Sequence, residues 1–273
     1  MKQWIVDAFA PAPFMGNQAA VVAPLDGNWP ETAALQRLAM ENNLAETAYL
    51  KRTEDPARFA LRWFTPAIEV PLCGHATLAA AHVLFDEMMI GGDKLTFDSL
   101  SGALTVRRVA TGYELDFPAR PNVEVPAPDG LAAALGAAPL KVLSAEYLMA
   151  EFADGETVRS LRPDIGALSA MGLAMGHPRP GNVICAGPDL SGQYDLIVRF
   201  FAPGSGIPED PATGSAQCQI VPHFTATLNR SVLRSYQAYP GRGAVLEGEM
   251  AGTRVRIRGQ ALTMAEAQLR FTL

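Results

Sequence analysis

The sequence predicts an α+β chain of two similar halves, each a sheet of short strands wrapped around one buried helix. Three observations carry this. Arg62-Trp63-Phe64-Thr65-Pro66 recurs half a chain later as Arg199-Phe200-Phe201-Ala202-Pro203, and both copies lead through a glycine-containing turn into a helix-like run. The run Ala76–Phe85 is apolar nearly all round, as a helix enclosed by protein must be. Many short segments alternate with period two and end at Gly-containing turns, the signature of strands.

In chain order, strands are predicted at Trp4–Phe9, Val21–Val22, Ala48–Leu50, Phe59–Phe64, Leu95–Phe97, Leu104–Val109 and Tyr113–Phe117. Ser101-Gly102 and Thr111-Gly112 read as hairpin turns. Glu31–Asn42 reads as an amphipathic helix with Leu35, Leu38 and Met40 among its apolar positions. In the second half, Ala145–Phe152 and Leu196–Phe201 read as strands and Ile165–Ala170 as a helix. Ser215–Leu228 is the counterpart of the buried helix, where Pro222 is expected to kink or shorten it. Hairpins with turns at Gly248 and Gly252 follow. The Pro-rich stretch Pro118–Pro128 is the natural linker, giving domains 1–118 and 119–273.

Composition narrows the function. The 273 residues are 49% hydrophobic and 18% charged, which excludes general disorder. No apolar run approaches the ~18 residues of a membrane helix, and no signal peptide is read. A net charge of −6 without a basic block speaks against nucleic acid, and Arg254, Arg256 and Arg258 alternate like a strand's solvent face. Cys73, Cys185 and Cys218 fit a reducing cytoplasm better than a disulfide framework.

Both glycine turns precede helices, whose free N–H groups can hold a carboxylate or phosphate. Gly74 and Gly214 would let a ligand approach the backbone. Thr213 and Ser215 are equally ordinary N-cap residues, but two equivalent turns favour a small anionic ligand between the domains. His75, in the first turn, is placed to donate to a ligand or move a proton, or to bond the backbone. His82 reads as a core residue, and His177 and His223 carry no assignment. Asp210 stands four residues before Gly214, at the rim of any such site. Glu46 shares a strand face with Ala48 and Leu50. It is either a partly desolvated general acid/base or an exposed residue at a strand start. Cysteines and histidines do not make a metal spacing, and Gly-x-Gly-x-x-Gly, Walker and Gly-x-Ser-x-Gly patterns are absent.

Asp7-Ala8-Phe9, Gly16-Asn17, Glu41-Asn42-Asn43-Leu44-Ala45-Glu46-Thr47, Phe64-Thr65-Pro66, Cys73-Gly74-His75-Ala76-Thr77 and the long Gly206–Ala216 segment together resemble the PhzF-like phenazine-biosynthesis isomerase family, across essentially the whole chain. The resemblance implies the diaminopimelate epimerase-like fold, a site between the two domains, no cofactor and a homodimer. It places the acid/base carboxylate on Glu46, the accompanying His and Asp on His75 and Asp210, and the carboxylate-holding groups on Gly74, Gly214 and Ser215. The related epimerases use one cysteine from each half. Here Cys73 has Pro211 where its partner would stand, so one carboxylate moving one proton is favoured over two-thiol epimerisation. Gln18 replaces the expected proline, and Cys73 itself departs from the phenazine enzyme's turn.

The expected protein is thus a cytoplasmic, cofactor-independent isomerase of a small carboxylate-bearing metabolite. The alternative is a non-catalytic carboxylate-binding protein on the same fold.

Overall fold

Strands β1 (Lys2–Ala8) and β2 (Asn17–Leu25) form an antiparallel pair joined by the 9–16 loop. Helix α1 (Thr32–Asn42) then carries the chain to β3 (Glu46–Arg52), which runs parallel to β2. β3 turns back into β4 (Arg58–Phe64), extended by the short β5 (Glu69–Val70). Helix α2 (Gly74–His82), continued by a π-helical turn at Val83–Glu87, makes the second crossover. It leads to β6 (Lys94–Ser99), parallel to β4, and the meander β7 (Gly102–Val109) and β8 (Gly112–Pro118). The sheet is therefore parallel where a helix connects its strands and antiparallel where a turn does, as crossover geometry requires.

The computed structural model describes residues 1–175 and 180–273 and divides into two units, Met1–Asp116 with Arg258–Leu273, and Phe117–Ile257. His177 lies outside the described residues.

The second unit repeats the plan. It contains β9 (Val123–Val125), α3 (Leu131–Leu135), β10 (Lys141–Ser144) and β11 (Leu148–Glu151). Helices α4 (Gly155–Ser160) and α5 (Ile165–Met175) lead to β12 (Val183–Pro188), parallel to β11. β13 (Leu196–Phe201) passes through α6 (Gly214–Thr227) to β14 (Val232–Gln237), again parallel, and β15 (Ala244–Ala251) and β16 (Arg254–Gly259) follow. The last strand, β17 (Ala261–Gln268), pairs antiparallel with β1 and so belongs to the first unit, not to the second as the 119–273 boundary would have it.

Each sheet has one helix on its inner face and smaller helices outside. In α2, every side chain from His75 to His82 is buried, packed against β1, β2, β3, β7 and β17. A helix of that length is marginal in water, so tertiary packing sustains it. His82 is indeed a satisfied core residue: its Nδ1 is 2.9 Å from the Tyr113 hydroxyl and its Nε2 2.9 Å from Thr263 Oγ1. In the second unit, Met149, Ile184, Val198 and Phe200 face Ala216, Ile220 and Phe224 of α6. Their neighbours Leu148, Val183, Ile197 and Phe201 face the opposite way, toward the α3–α5 layer. This is the period-two alternation of a sheet covered on both sides.

Several expectations need correction. The Ala145–Phe152 strand is the shorter β11, Leu148–Glu151, preceded by a bend at 145–147 that follows β10, and the linker contains β9, paired with β10. Gly248 lies inside β15 rather than at a turn; a Cβ there would sit 2.2 Å from Val221 Cγ2, so glycine serves the close approach of α6. Helix α6 runs through Pro222 without a break. Proline leaves the i−4 carbonyl, that of Cys218, without its usual donor, and the Arg120 backbone N–H supplies one at 2.8 Å. Asn122 then exchanges two hydrogen bonds with Gln219, at 2.9 and 2.8 Å, and stitches the linker to the helix.

Candidate active site

The first cluster gathers at the start of α2. Gly16 has φ +72°, and a Cβ there would lie 2.2 Å from the Ala8 carbonyl oxygen; only glycine allows this turn into β2. Asn17 is thereby the first residue of β2, and Glu46 is the first of β3, in register with Ala19. His75 follows Gly74 in the first turn of α2, while Cys73 precedes the helix in extended conformation. His75 Nε2 lies 3.0 Å from Glu46 Oε2, with the two side chains 6% and 17% exposed. This is a close ion-pair contact rather than an aligned hydrogen bond, because Nε2 has no well-directed acceptor. On the other ring nitrogen, Asn17 Nδ2 is 3.2 Å and Cys73 Sγ 3.5 Å from Nδ1. The Glu46 carboxylate is thus the partly open end of a buried chain of polar groups rather than an exposed residue at a strand start.

Electrostatics in this cluster are strongly coupled. Burial pulls the His75 imidazole down, while the negative charges of a Cys73 thiolate and of the Glu46 carboxylate raise it; with the sulfur protonated, Glu46 alone supplies the raising charge. Burial, reinforced by Glu46, pushes the Cys73 thiol up, so the sulfur is a protonated thiol at neutral pH. Burial likewise raises Cys218 to about 12, and all three cysteines are free and buried.

Glu46, Cys73 and His75 offer donor atoms within 4.8 Å of one another and are the described residues with the chemistry to hold a metal. The imidazole, however, stands between the other two, sulfur against Nδ1 and carboxylate against Nε2. A single ion takes one nitrogen of a ring, so an ion shared with one of these side chains would leave the other on the far nitrogen.

The second cluster surrounds the start of α6. Thr213 is the residue before the helix, yet its side chain does not cap it. Its hydroxyl donates instead to Asp210 Oδ2 at 2.5 Å, and its backbone N–H donates to Gln237 Oε1 at 2.9 Å. Gln237 Nε2 closes the loop by donating to the Asp210 carbonyl, 2.6 Å away. Ser215 Oγ is 3.0 Å from the Tyr147 hydroxyl. The α2 start likewise has no side-chain cap. Neither helix start is therefore capped by a side chain. Just upstream, Arg199 grips Glu209 with two hydrogen bonds of 2.7 and 2.8 Å, as Arg62 grips Glu69 at 2.7 and 2.7 Å.

Of the residues singled out by sequence, Glu46 and His75 meet beside Gly74, and Asp210, Gly214 and Ser215 share the α6 start. Asn17, Gln237 and Tyr147 had no assigned chemistry, although Gly16-Asn17 was part of the resembling pattern. His223, which had no assignment, lies on α6, with Nε2 2.8 Å from Glu151 Oε2.

These features agree with comparisons to known proteins. The profile of the family described as phenazine biosynthesis-like protein matches residues 6–267. A Pseudomonas aeruginosa protein named as an uncharacterised isomerase is 42% identical over 98% of this chain and 97% of its own. A crystal structure of an Enterococcus faecalis phenazine biosynthesis protein of the PhzF family is 38% identical, covers 98% of this chain and 99% of its own, and superposes with a TM-score of 0.88. A hydroxyproline epimerase from Agrobacterium vitis, 13% identical over 98% of this chain and 91% of its own, shares the fold alone at a TM-score of 0.60. With the family profile spanning nearly the whole chain and the closest features of its two halves in place, this protein belongs to the phenazine biosynthesis-like family and is an isomerase of that family.

Proposed function

We propose that the protein is a cofactor-independent isomerase that moves a proton between two carbons of a small carboxylate-bearing metabolite, resembling a dihydro-hydroxyanthranilate. The observation that carries this reading is the Glu46 carboxylate, partly open and 3.0 Å from the buried His75 Nε2. Glu46 takes a proton from one carbon, and the C–H electron pair delocalises into the substrate's unsaturated system. A proton then returns to a second carbon from Glu46, whose partly open carboxyl group exchanges with solvent, so no redox partner is needed. His75 and Asp210 orient polar substituents. Backbone N–H groups at Gly74 and Gly214, with the Ser215 hydroxyl, hold the carboxylate and steady negative charge developing beside it. Support for the binding role comes from two helix starts that lack side-chain caps.

The test is NMR-detected deuterium incorporation in D2O with dihydro-hydroxyanthranilate and a panel of small amino and hydroxy carboxylates. Exchange that falls by roughly 10²–10⁴-fold in Glu46→Gln, with binding retained, is the expected result for loss of a general acid/base. Undiminished exchange in that variant removes Glu46 from the role. Binding without exchange on any panel member would favour a carboxylate-binding protein instead.

A further inference from the structure

Two hydrogen-bond donors converge on one nitrogen of His75. Asn17 Nδ2, an amide nitrogen that can only donate, lies 3.2 Å from Nδ1. Cys73 Sγ lies 3.5 Å from the same atom, and its thiol is protonated because burial disfavours the thiolate. Asn17 is 1% exposed, so its amide is not a solvated side chain that turns freely. On the opposite edge of the ring the neighbour is an acceptor, the Glu46 carboxylate, 3.0 Å from Nε2. Donors on one side and an acceptor on the other define one protonation pattern of an imidazole.

We infer that Asn17 is a positioning residue that holds His75 as the neutral tautomer protonated on Nε2, the nitrogen that faces the Glu46 carboxylate at 3.0 Å. The Glu46 charge favours the imidazolium, but a doubly protonated ring would set Nδ1–H against the Asn17 N–H. The amide therefore opposes that charge at the one atom where the proton would have to go. The consequence rests on the proton-transfer reading above. With Nε2 protonated, His75 has no free lone pair facing Glu46 with which to take the proton away. Gly16 is part of this device, because its left-handed turn is what delivers Asn17 to the ring.

The test uses the full chain with 15N-labelled histidine, reading the two-bond 1H–15N correlations of each ring at pH 7; the His75 signals are identified by their loss in His75→Gln. The expected wild-type spectrum shows His75 with Nε2 protonated and Nδ1 bare. Asn17→Asp, which puts an acceptor against Nδ1, should convert the ring to the doubly protonated form. Cys73→Ala should leave the wild-type pattern in place, assigning it to the amide rather than the weaker thiol donor. A wild-type ring protonated on Nδ1, or on both nitrogens, overturns the inference without any variant having to fold. A pattern unchanged in Asn17→Asp overturns it as well. The readout does not depend on turnover, so inactivity of the carboxylate panel would sink the isomerase reading and leave the tautomer result standing.

Discussion

Helices α2 and α6 start alike and are furnished differently. Each begins at a glycine after an extended residue, lacks a side-chain cap and follows a strand whose arginine grips a glutamate. Around α2 the side chains are titratable: Glu46, Cys73 and His75 lie within reach of one another. Around α6 the framework is an amide and hydroxyl network of Gln237, Thr213, Tyr147 and Ser215, with Asp210 its one carboxylate. A repeated scaffold thus carries titratable side chains at one helix start and an amide and hydroxyl network at the other. The arginine clamps differ too. Arg199 and Glu209 are 5% and 11% exposed, against 18% and 22% for Arg62 and Glu69.

The sharpest way to separate the two ends is to remove one function from each. Glu46→Gln should abolish exchange by the factor given above while ligand still binds. Ser215→Ala should weaken carboxylate binding by up to about tenfold, the worth of one ordinary hydrogen bond, with exchange persisting at saturating ligand. Titration calorimetry beside the exchange assay reads both, and a Ser215→Ala variant that binds normally but exchanges slowly would reverse the assignment of the ends.

Next in size is stability. Arg199→Met leaves the Glu209 carboxylate buried and unpaired, and should cost about 3–5 kcal/mol in urea unfolding. Arg62→Met should cost about 1 kcal/mol, since its pair is partly solvated and screened. Equal losses would mean that burial does not distinguish the clamps. Gly248→Ala probes α6 alone. Its Cβ would be 2.2 Å from Val221 Cγ2, and about 1–3 kcal/mol of overpacking should appear in the same experiment. Combining it with Val221→Ala should recover part of that loss.

The smallest effect is one of pH. Burial lowers the His82 pKa, outweighing Asp86. The unfolded chain therefore binds the His82 proton more readily than the folded one, and stability from this group is full above about 6.5 and declines as pH falls below it. His82→Gln should show a shallower loss of urea stability between pH 7 and 5 than the wild type. An identical slope would take His82 out of the acid response of the α2 end.

Sequence reading saw the repeat but not what it repeats for. The five-residue match is visible because Arg62 and Arg199 open it, while their acidic partners sit at unequal distances downstream, Glu69 and Glu209. Glu46 and His75 were recognisable from residue type, turn context and resemblance. Asn17, Gln237 and Tyr147 were not, because each acts on a residue 58, 24 or 68 positions away, and no local pattern records such a distance. Gly248 reads as a turn from composition, since glycine serving a close approach looks the same in text as glycine serving a bend. Pro222 misleads for a related reason: the donor that replaces its missing N–H lies in the Pro-rich stretch a hundred residues earlier in the chain.

The pairing of β1 with β17 also sets an order of events during synthesis. The ribosome makes β1 first and β17 after the whole second unit, so one edge of β1 has no strand to bond until residues 261–268 emerge. The first unit to be translated is then the last to be finished, and its open edge is the natural place for a chaperone to attend or for two nascent chains to join wrongly.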